Sequence, residues 1–430
     1  MERLLEALSA KTGGVESWSL YTTESRKCSL GVKDREVGNS HAPLTLAESC
    51  GARYLFVWDD GRISRGFLER RQIDGDPVET IARARTAAYD DPDAAQVLGP
   101  AEFPEVHLHD PETAAAARGD TAWLRDRLAR IRSVLAEPAC RTWSGSFSAG
   151  ETRARLATSE GLDVSGEGTS IGWHVTIDGE VGDGLRGRAP DGDDAFDARL
   201  AQLLDVARRL RDPADSAREG VLPIILHPAV VQEYALSTLL HHLDGATIAH
   251  GEGIFKSEHI GSGQALLRED LTLRVDPLEP LKSGSYRFTP DGLPAARCTY
   301  IEAGRLVEPV LDLKYARRLE RRPTPVPYAM DVLHLEGPDR LSLSEAFSRA
   351  EGGALVLSVL GVHTQDNSNG DFSLSAPQVL QLRDGELRGR LRATISGNLF
   401  DVLRSDELQL VAFEGETTPG LLFPCRLDPT

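Results

Sequence analysis

The sequence predicts an α+β protein whose second half is rich in antiparallel strands. Three observations carry this. Alternating apolar stretches meet at tight turns, near Asp60-Gly61, Gly304 and Asp384-Gly385. Helical segments are few and do not alternate one for one with strands, and no period of 20–50 residues repeats. Strands joined by tight turns pair antiparallel, whereas parallel pairs need long crossovers.

The N-terminal region is expected to mix helices with antiparallel sheet. Residues 1–14 (MERLLEALSAKTGG) read as a short amphipathic helix rather than a signal peptide. Residues 54–69 (YLFVWDDGRISRGFLE) alternate around Asp60-Gly61 and predict a hairpin. Residues 78–98 predict a helix that ends before Pro100, and a Pro-rich loop follows. From Glu112 to Glu137, Trp123, Leu124, Leu128, Ile131 and Leu135 recur at helical spacing and predict one long helix. Short polar strands with Gly turns fill 142–189. Phe196, Leu200, Leu203, Leu204, Ala207 and Leu210 then line one face of a further helix. The segment 211–215 (RDPAD) reads as a linker, which sets an N-terminal region at 1–215, with a sub-division near 100–110, and a second domain at 216–430.

That second domain opens on an apolar strand, 221–226 (VLPIIL), followed by its one main helix, from about Pro228 to Leu243. Hairpins turning near Gly304 and at Asp384-Gly385, and a strand at 408–413, complete it.

Composition narrows the functional classes. The 430 residues carry a formal net charge of -18, so a nucleic-acid backbone is not an expected partner. No apolar run approaches the roughly 18 residues that cross a bilayer, so no membrane partner is expected. The five cysteines are odd in number and widely spaced, which suits reduced thiols and a cytoplasmic setting.

Five of the 11 histidines, His227, His241, His242, His250 and His259, crowd one stretch. Zinc sites on helices need two imidazoles on nearby turns, commonly with a Glu as base. No histidine here precedes a Glu, and adjacent His241 and His242 point about 100° apart on a helix. Residues 168–172 match G-x-S-x-G, but a strand rather than a helix follows, so no nucleophile elbow is expected. Residues 366–372 (DNSNGDF) resemble the start of a calcium loop, yet the position that needs Glu is Pro377. They read as a polar turn able to carry a binding function. His107 and His109 read as surface residues, and Cys298 and Cys425 as small buried hydrophobes. The residues assign no catalytic group and no metal ligand.

From about residue 221 the order of features resembles the TldD/PmbA family of metalloprotease-like proteins. The helix HPAVVQEYALSTLLHHLDG, the segment from Asp270 to Leu319, NGDFSLSA (369–376) and ISGNLFDVL (395–403) carry the resemblance. The N-terminal half fits more loosely, through the hairpin at 54–69 and TSEGL at 158–162. One branch of that family holds zinc with His-Glu-x-x-x-His on the helix near the start of the C-terminal domain. The other lacks the motif and completes a two-subunit protease. This sequence resembles the second branch. The resemblance implies no cofactor in this chain, zinc in a TldD-like catalytic partner, extended peptide substrates and possible self-association. It also implies a peptide cleft at Asn369, Gly370, Asp371, Phe372 and Ser373. A stand-alone metallopeptidase with a non-standard metal site, and a peptide-binding or scaffold protein, are the alternatives. Two segments depart from the family: 320–329 (ERRPTPVPYA) is Pro-rich, and Pro290-Asp291-Gly292 replaces a longer acidic turn.

Overall fold

The computed structural model describes residues 1–33, 36–37, 44–136, 140–214, 219–366 and 368–430. Seven strands form the first sheet: β1 (Val15–Lys33), β2 (Glu36–Val37), β3 (Leu44–Trp58), β4 (Ile63–Glu69), β5 (Trp143–Thr158), β6 (Asp163–Ile177) and β7 (Val181–Gly187). Their order is β4-β3-β1-β5-β6-β7 with β2 on β1, and every pair is antiparallel. Side chains alternate along a strand. On β1, Trp18 and Leu20 lie in one cluster with Leu4, Leu8 and Ile81 of the helices Glu2–Ser9 and Pro77–Thr86. Cys28, Leu30 and Val32 lie in a second cluster with Trp123, Leu124, Phe196 and Leu200 of Ala122–Val134 and Asp193–Arg209. Each fully buried large side chain contributes about 1.5–3 kcal/mol. Tyr21 and Thr23, at odd positions of β1, look the other way, toward the C-terminal half.

The C-terminal half holds β8 (Gly220–Leu226), a small antiparallel sheet of β9 (Thr272–Val275), β10 (Cys298–Glu302), β11 (Arg305–Leu306) and β12 (Leu333–Glu336), and then β13 (Ala354–Leu360), β14 (Asp371–Arg383), β15 (Glu386–Asn398), β16 (Gln409–Val411) and β17 (Gly420–Pro429). The larger sheet runs β15-β14-β13-β8-β17-β16, and a β15–β17 pairing closes five of these strands into a barrel-like ring. Val230, Val231, Tyr234, Leu236, Leu239 and Leu243 of the helix at 228–243 join the core that fills this half.

The α+β class and the antiparallel character hold, with three local corrections. The pair β8–β13 is parallel, because well over a hundred residues of helix and small sheet intervene and supply the crossover. The helix expected over 78–98 stops at Thr86. Beyond it Tyr89 exchanges both backbone hydrogen bonds with Ile63 (2.8 and 2.9 Å), which extends the sheet edge before Pro92. The helix expected from Glu112 to Glu137 is two helices, Pro111–Ala117 and Ala122–Val134, broken at Gly119, whose φ of 106° closes the first helix. Glu137 lies outside the described residues, as does the expected boundary between 215 and 216. Among the described residues no helix is long and apolar enough to cross a membrane.

Candidate functional site

The helix at 228–243 starts from Pro228, whose missing N–H costs nothing in a first turn. His227 caps it: Nδ1 accepts the N–H of Ala229 at 3.2 Å. Over Val231–Leu236 the helix widens into a π turn. The Ser237 hydroxyl donates to the carbonyls of Glu233 and Tyr234 (3.1 Å to the latter), satisfying groups that the wider turn frees. In a π turn, with its i→i+5 bonding, residues five apart fall closer to one side than they do in an α-helix. Gln232 and Ser237 therefore share one side, with Glu233 next to them and exposed. The Gln232 amide donates to the Thr418 hydroxyl at 2.8 Å.

Tyr234, within the same turn, links this helix to the sequence-predicted cleft residues. Its ring lies 5.2 Å from that of Phe372, and its hydroxyl donates to the Gly370 carbonyl at 3.4 Å. Burial pushes the Tyr234 phenol above its usual range. The five residues divide into two kinds. Gly370 and Phe372 are buried packing positions. Asn369, Asp371 and Ser373 are exposed, and the first two are tied into a knot with Asn398. The Asp371 carboxylate accepts from the side-chain amides of Asn369 and Asn398, each at 2.8 Å. Asn398 also donates to the Asn369 carbonyl and caps the helix Leu399–Arg404 through the N–H groups of Phe400 and Asp401. Ser368 donates its N–H to Asp366, the turn expected in place of a calcium loop; Asn367 lies outside the described residues.

The clustered histidines disperse. His227 sits against Phe413, and burial lowers its pKa to about 4, opposed by Asp183 and reinforced by Arg199. His242 is fully buried, accepts the N–H of Ile254 at 3.0 Å and packs edge-on to Phe400. His241 and His250 are exposed, and His259 accepts the N–H of Lys256. Among the described residues no three His, Cys, Asp or Glu side chains are grouped to share a metal ion. Ser170 of the G-x-S-x-G match lies mid-strand in β6. Cys425 is buried and Cys298 half-buried, and burial pushes both thiols up to about 12. His107 bonds to the His109 carbonyl, and His109 approaches Glu151, whose carboxylate is held by Arg118.

The sequence profile of the PmbA/TldA metallopeptidase C-terminal domain matches residues 219–421, which span the strand, the π-turned helix and the Asn369–Asn398 knot. The chain carries a C-terminal domain of the TldD/PmbA family. Three solved structures share its fold along nearly its whole length. TldE from Thermococcus kodakarensis aligns with a TM-score of 0.80 at 18% identity, covering 99% of each chain. A candidate modulator of DNA gyrase from Bacteroides thetaiotaomicron aligns at 0.78 and 18%, covering 100% of this chain and 99% of the other. Another, from Thermotoga maritima, aligns at 0.79 and 17%, with the same coverage. No curated protein sequence matches significantly.

Within the TldD/PmbA family the motif His-Glu-x-x-x-His spaces its histidines five apart, the spacing a π turn brings onto one side. In this chain the helix has a π turn, and the residues at that spacing across it are Gln232, Glu233 and Ser237. That set is an amide bonded to Thr418, one carboxylate and a hydroxyl engaged by carbonyls. It does not fit zinc, which takes imidazole nitrogen, thiolate sulfur and carboxylate oxygen. The sequence reading did not single out Gln232 and Ser237, although Glu233 behind a polar residue was the available signal. Asn398 and Gln365 were likewise not legible as site residues from the sequence.

Proposed function

We propose that this chain is the non-catalytic subunit of a two-component TldD/TldE-like zinc metalloprotease that cleaves unfolded or extended peptides in the cytoplasm. The observation that supports it best is the π turn carrying Gln232, Glu233 and Ser237 in place of a His-Glu-x-x-x-His set. A helix that widens at this spacing but offers an amide, one carboxylate and a hydroxyl instead of an imidazole pair suits a subunit that walls a cleft while a TldD-like partner holds the zinc. The exposed groups of Asn369, Asp371 and Ser373 form this subunit's share of that wall, where an extended peptide pairs along a strand edge. Dividing a protease between two chains restricts access of the zinc-bound nucleophile to peptides that fit between them.

The test is co-expression with a His-Glu-x-x-x-His paralogue, followed by size exclusion, zinc quantification and a peptidase assay on unfolded casein. A mixed complex, active only with both chains and carrying zinc on the paralogue, is expected. A chain that stays alone, binds zinc and cleaves peptide overturns the proposal.

A further inference from the structure

A recess of about 440 Å³ opens between the free face of the first sheet and the segment 283–290 of the C-terminal half. One wall is a row across three strands. Tyr21 of β1 pairs directly with Arg53 of β3, and Arg53 with Phe67 of β4, so the three side chains stand side by side. Tyr286, Phe288 and Tyr328 form the opposite wall.

The second wall is held in place. Phe288 meets Tyr21 edge-on at 6.4 Å and Phe103 at 5.6 Å. Tyr328 meets Tyr286 at 4.9 Å. It ends the Pro-rich segment that departs from the family pattern, and two tyrosines pin that segment: Tyr300 donates to the Pro325 carbonyl at 2.5 Å, and the Tyr286 hydroxyl accepts the N–H of Val326 at 3.1 Å. Prolines at 323, 325 and 327 stiffen the backbone further.

The charge in the recess has one sign. Arg188, half-buried beneath it, gives its N–H groups to the carbonyls of Thr169 (3.0 Å), Lys282 (2.9 Å) and Ser285 (2.6 Å). Burial lowers its pKa, eased by the more distant Asp331. Arg53 is exposed beside the two rings, and Asp291, outside the lining, reaches it electrostatically without an ion pair. Two guanidinium groups and no carboxylate thus line a recess in a chain whose net charge is -18. At its mouth Phe67 and Tyr328 leave 59% and 52% of their surface to water, an unusual exposure for large rings.

We infer that this recess binds an aromatic group carrying a carboxylate, the chemistry of a free aromatic acid or of a peptide's C-terminal aromatic residue. The rings offer edge and face contacts to a flat ring. Arg53 offers a planar fork of donors to the carboxylate and repels cations that would otherwise sit over the rings. The volume lies at the small end of ligand pockets and suits one or two rings. The inference does not depend on the subunit role, since the recess is lined by other residues than the Asn369–Ser373 loop.

Titration calorimetry of the full chain with N-acetylphenylalanine, its amide, N-acetylalanine and the tetrapeptide Ala-Ala-Ala-Phe tests it. The acid is expected to bind saturably, its amide about tenfold more weakly, as the loss of one charge-assisted contact implies, and N-acetylalanine not at all. Arg53→Gln removes the preference for acid over amide, and Tyr328→Ala weakens both ligands, with thermal midpoints unchanged. Tighter binding of the tetrapeptide than of N-acetylphenylalanine identifies a peptide terminus as the source; equal or weaker binding identifies a free acid. No saturable binding, equal binding of acid and amide, or binding unchanged in both variants overturns the inference.

Discussion

The side chain of Gln365 lies against the backbone of Ser373 as a neighbouring peptide unit would. Its Oε1 accepts the Ser373 N–H at 2.8 Å, and its Nε2 donates to the Ser373 carbonyl at 3.3 Å. The second amide proton goes to the Gly361 carbonyl. Ser373 sits near the start of β14, where β15 covers one edge and β13 does not pair until Ser375. Gln365 therefore occupies the edge that a bound strand would use. If that edge contributes to a peptide cleft, Gln365→Ala removes a competitor for two backbone groups. Peptide affinity of the assembled complex, read by fluorescence anisotropy, is expected to rise about two- to tenfold, since a neutral hydrogen bond is worth about 1 kcal/mol net. Unchanged affinity removes this edge from the cleft.

Gly370 has a different role. Its φ is 81°, and a Cβ built there would lie 2.4 Å from a ring carbon of Phe400. Backbone strain and ring displacement act together, so Gly370→Ala is expected to destabilise the fold by about 2–4 kcal/mol. Thermal unfolding should show a midpoint several degrees lower. An unchanged midpoint would show that the loop can shift away from Phe400.

The features that could be read from the sequence are those fixed by neighbours in the chain. Asp384 and Gly385 both take positive φ (55° and 72°), as a two-residue hairpin turn demands, so their order alone located the turn. Phe196, Leu200 and Leu204 could be assigned to one face because helical spacing is local. What misled was equally physical. A lone Gly costs a helix only about 1 kcal/mol, so nothing at Gly119 distinguished a break from a tolerated glycine. The run VLPIIL is apolar throughout, as a strand buried on both faces is, and such a run does not reveal parallel pairing with residues 354–356. In the candidate site, the loop at Asn369–Ser373 was visible as a polar turn. Its anchors were not, because Asn398 and Tyr234 lie 27 and 136 residues from their partners Asp371 and Gly370. The π turn has no local compositional signature at all.

His227 ties stability to pH. Its folded pKa of about 4 lies below the ordinary imidazole value of about 6.5, so on acidification the unfolded chain takes up a proton first. Stability from the neutral, capping ring is fully present above about pH 6.5 and declines as the pH falls toward 4, by up to about 3 kcal/mol. His227→Asn keeps a cap acceptor but cannot ionise. Urea midpoints followed from neutral pH downward should fall more steeply in the native protein than in this variant. Parallel curves would assign the acid sensitivity to other groups.

Restoring the missing imidazoles tests the π turn most directly. Residues 232 and 237 are five apart, so in an ordinary α-helix they would diverge by about 140°. The i→i+5 bonding over Val231–Leu236 instead brings them toward one side, with Glu233 beside them. The double substitution Gln232→His with Ser237→His should therefore create a pair of imidazoles able to hold zinc, with Glu233 within reach. The variant gives up the Gln232–Thr418 bond and the Ser237 hydroxyl, so a modest loss of stability is expected alongside the gain of metal. Near-stoichiometric zinc retained through gel filtration, reduced when either histidine is changed back, is the expected result. Either single substitution alone should retain little, because one imidazole and one carboxylate make a weak site. If the double variant folds and still takes up no zinc, residues 232 and 237 do not converge. The reading of this π turn as a backbone that could hold zinc if ligands were supplied would then fail, and the main support for the non-catalytic reading would go with it.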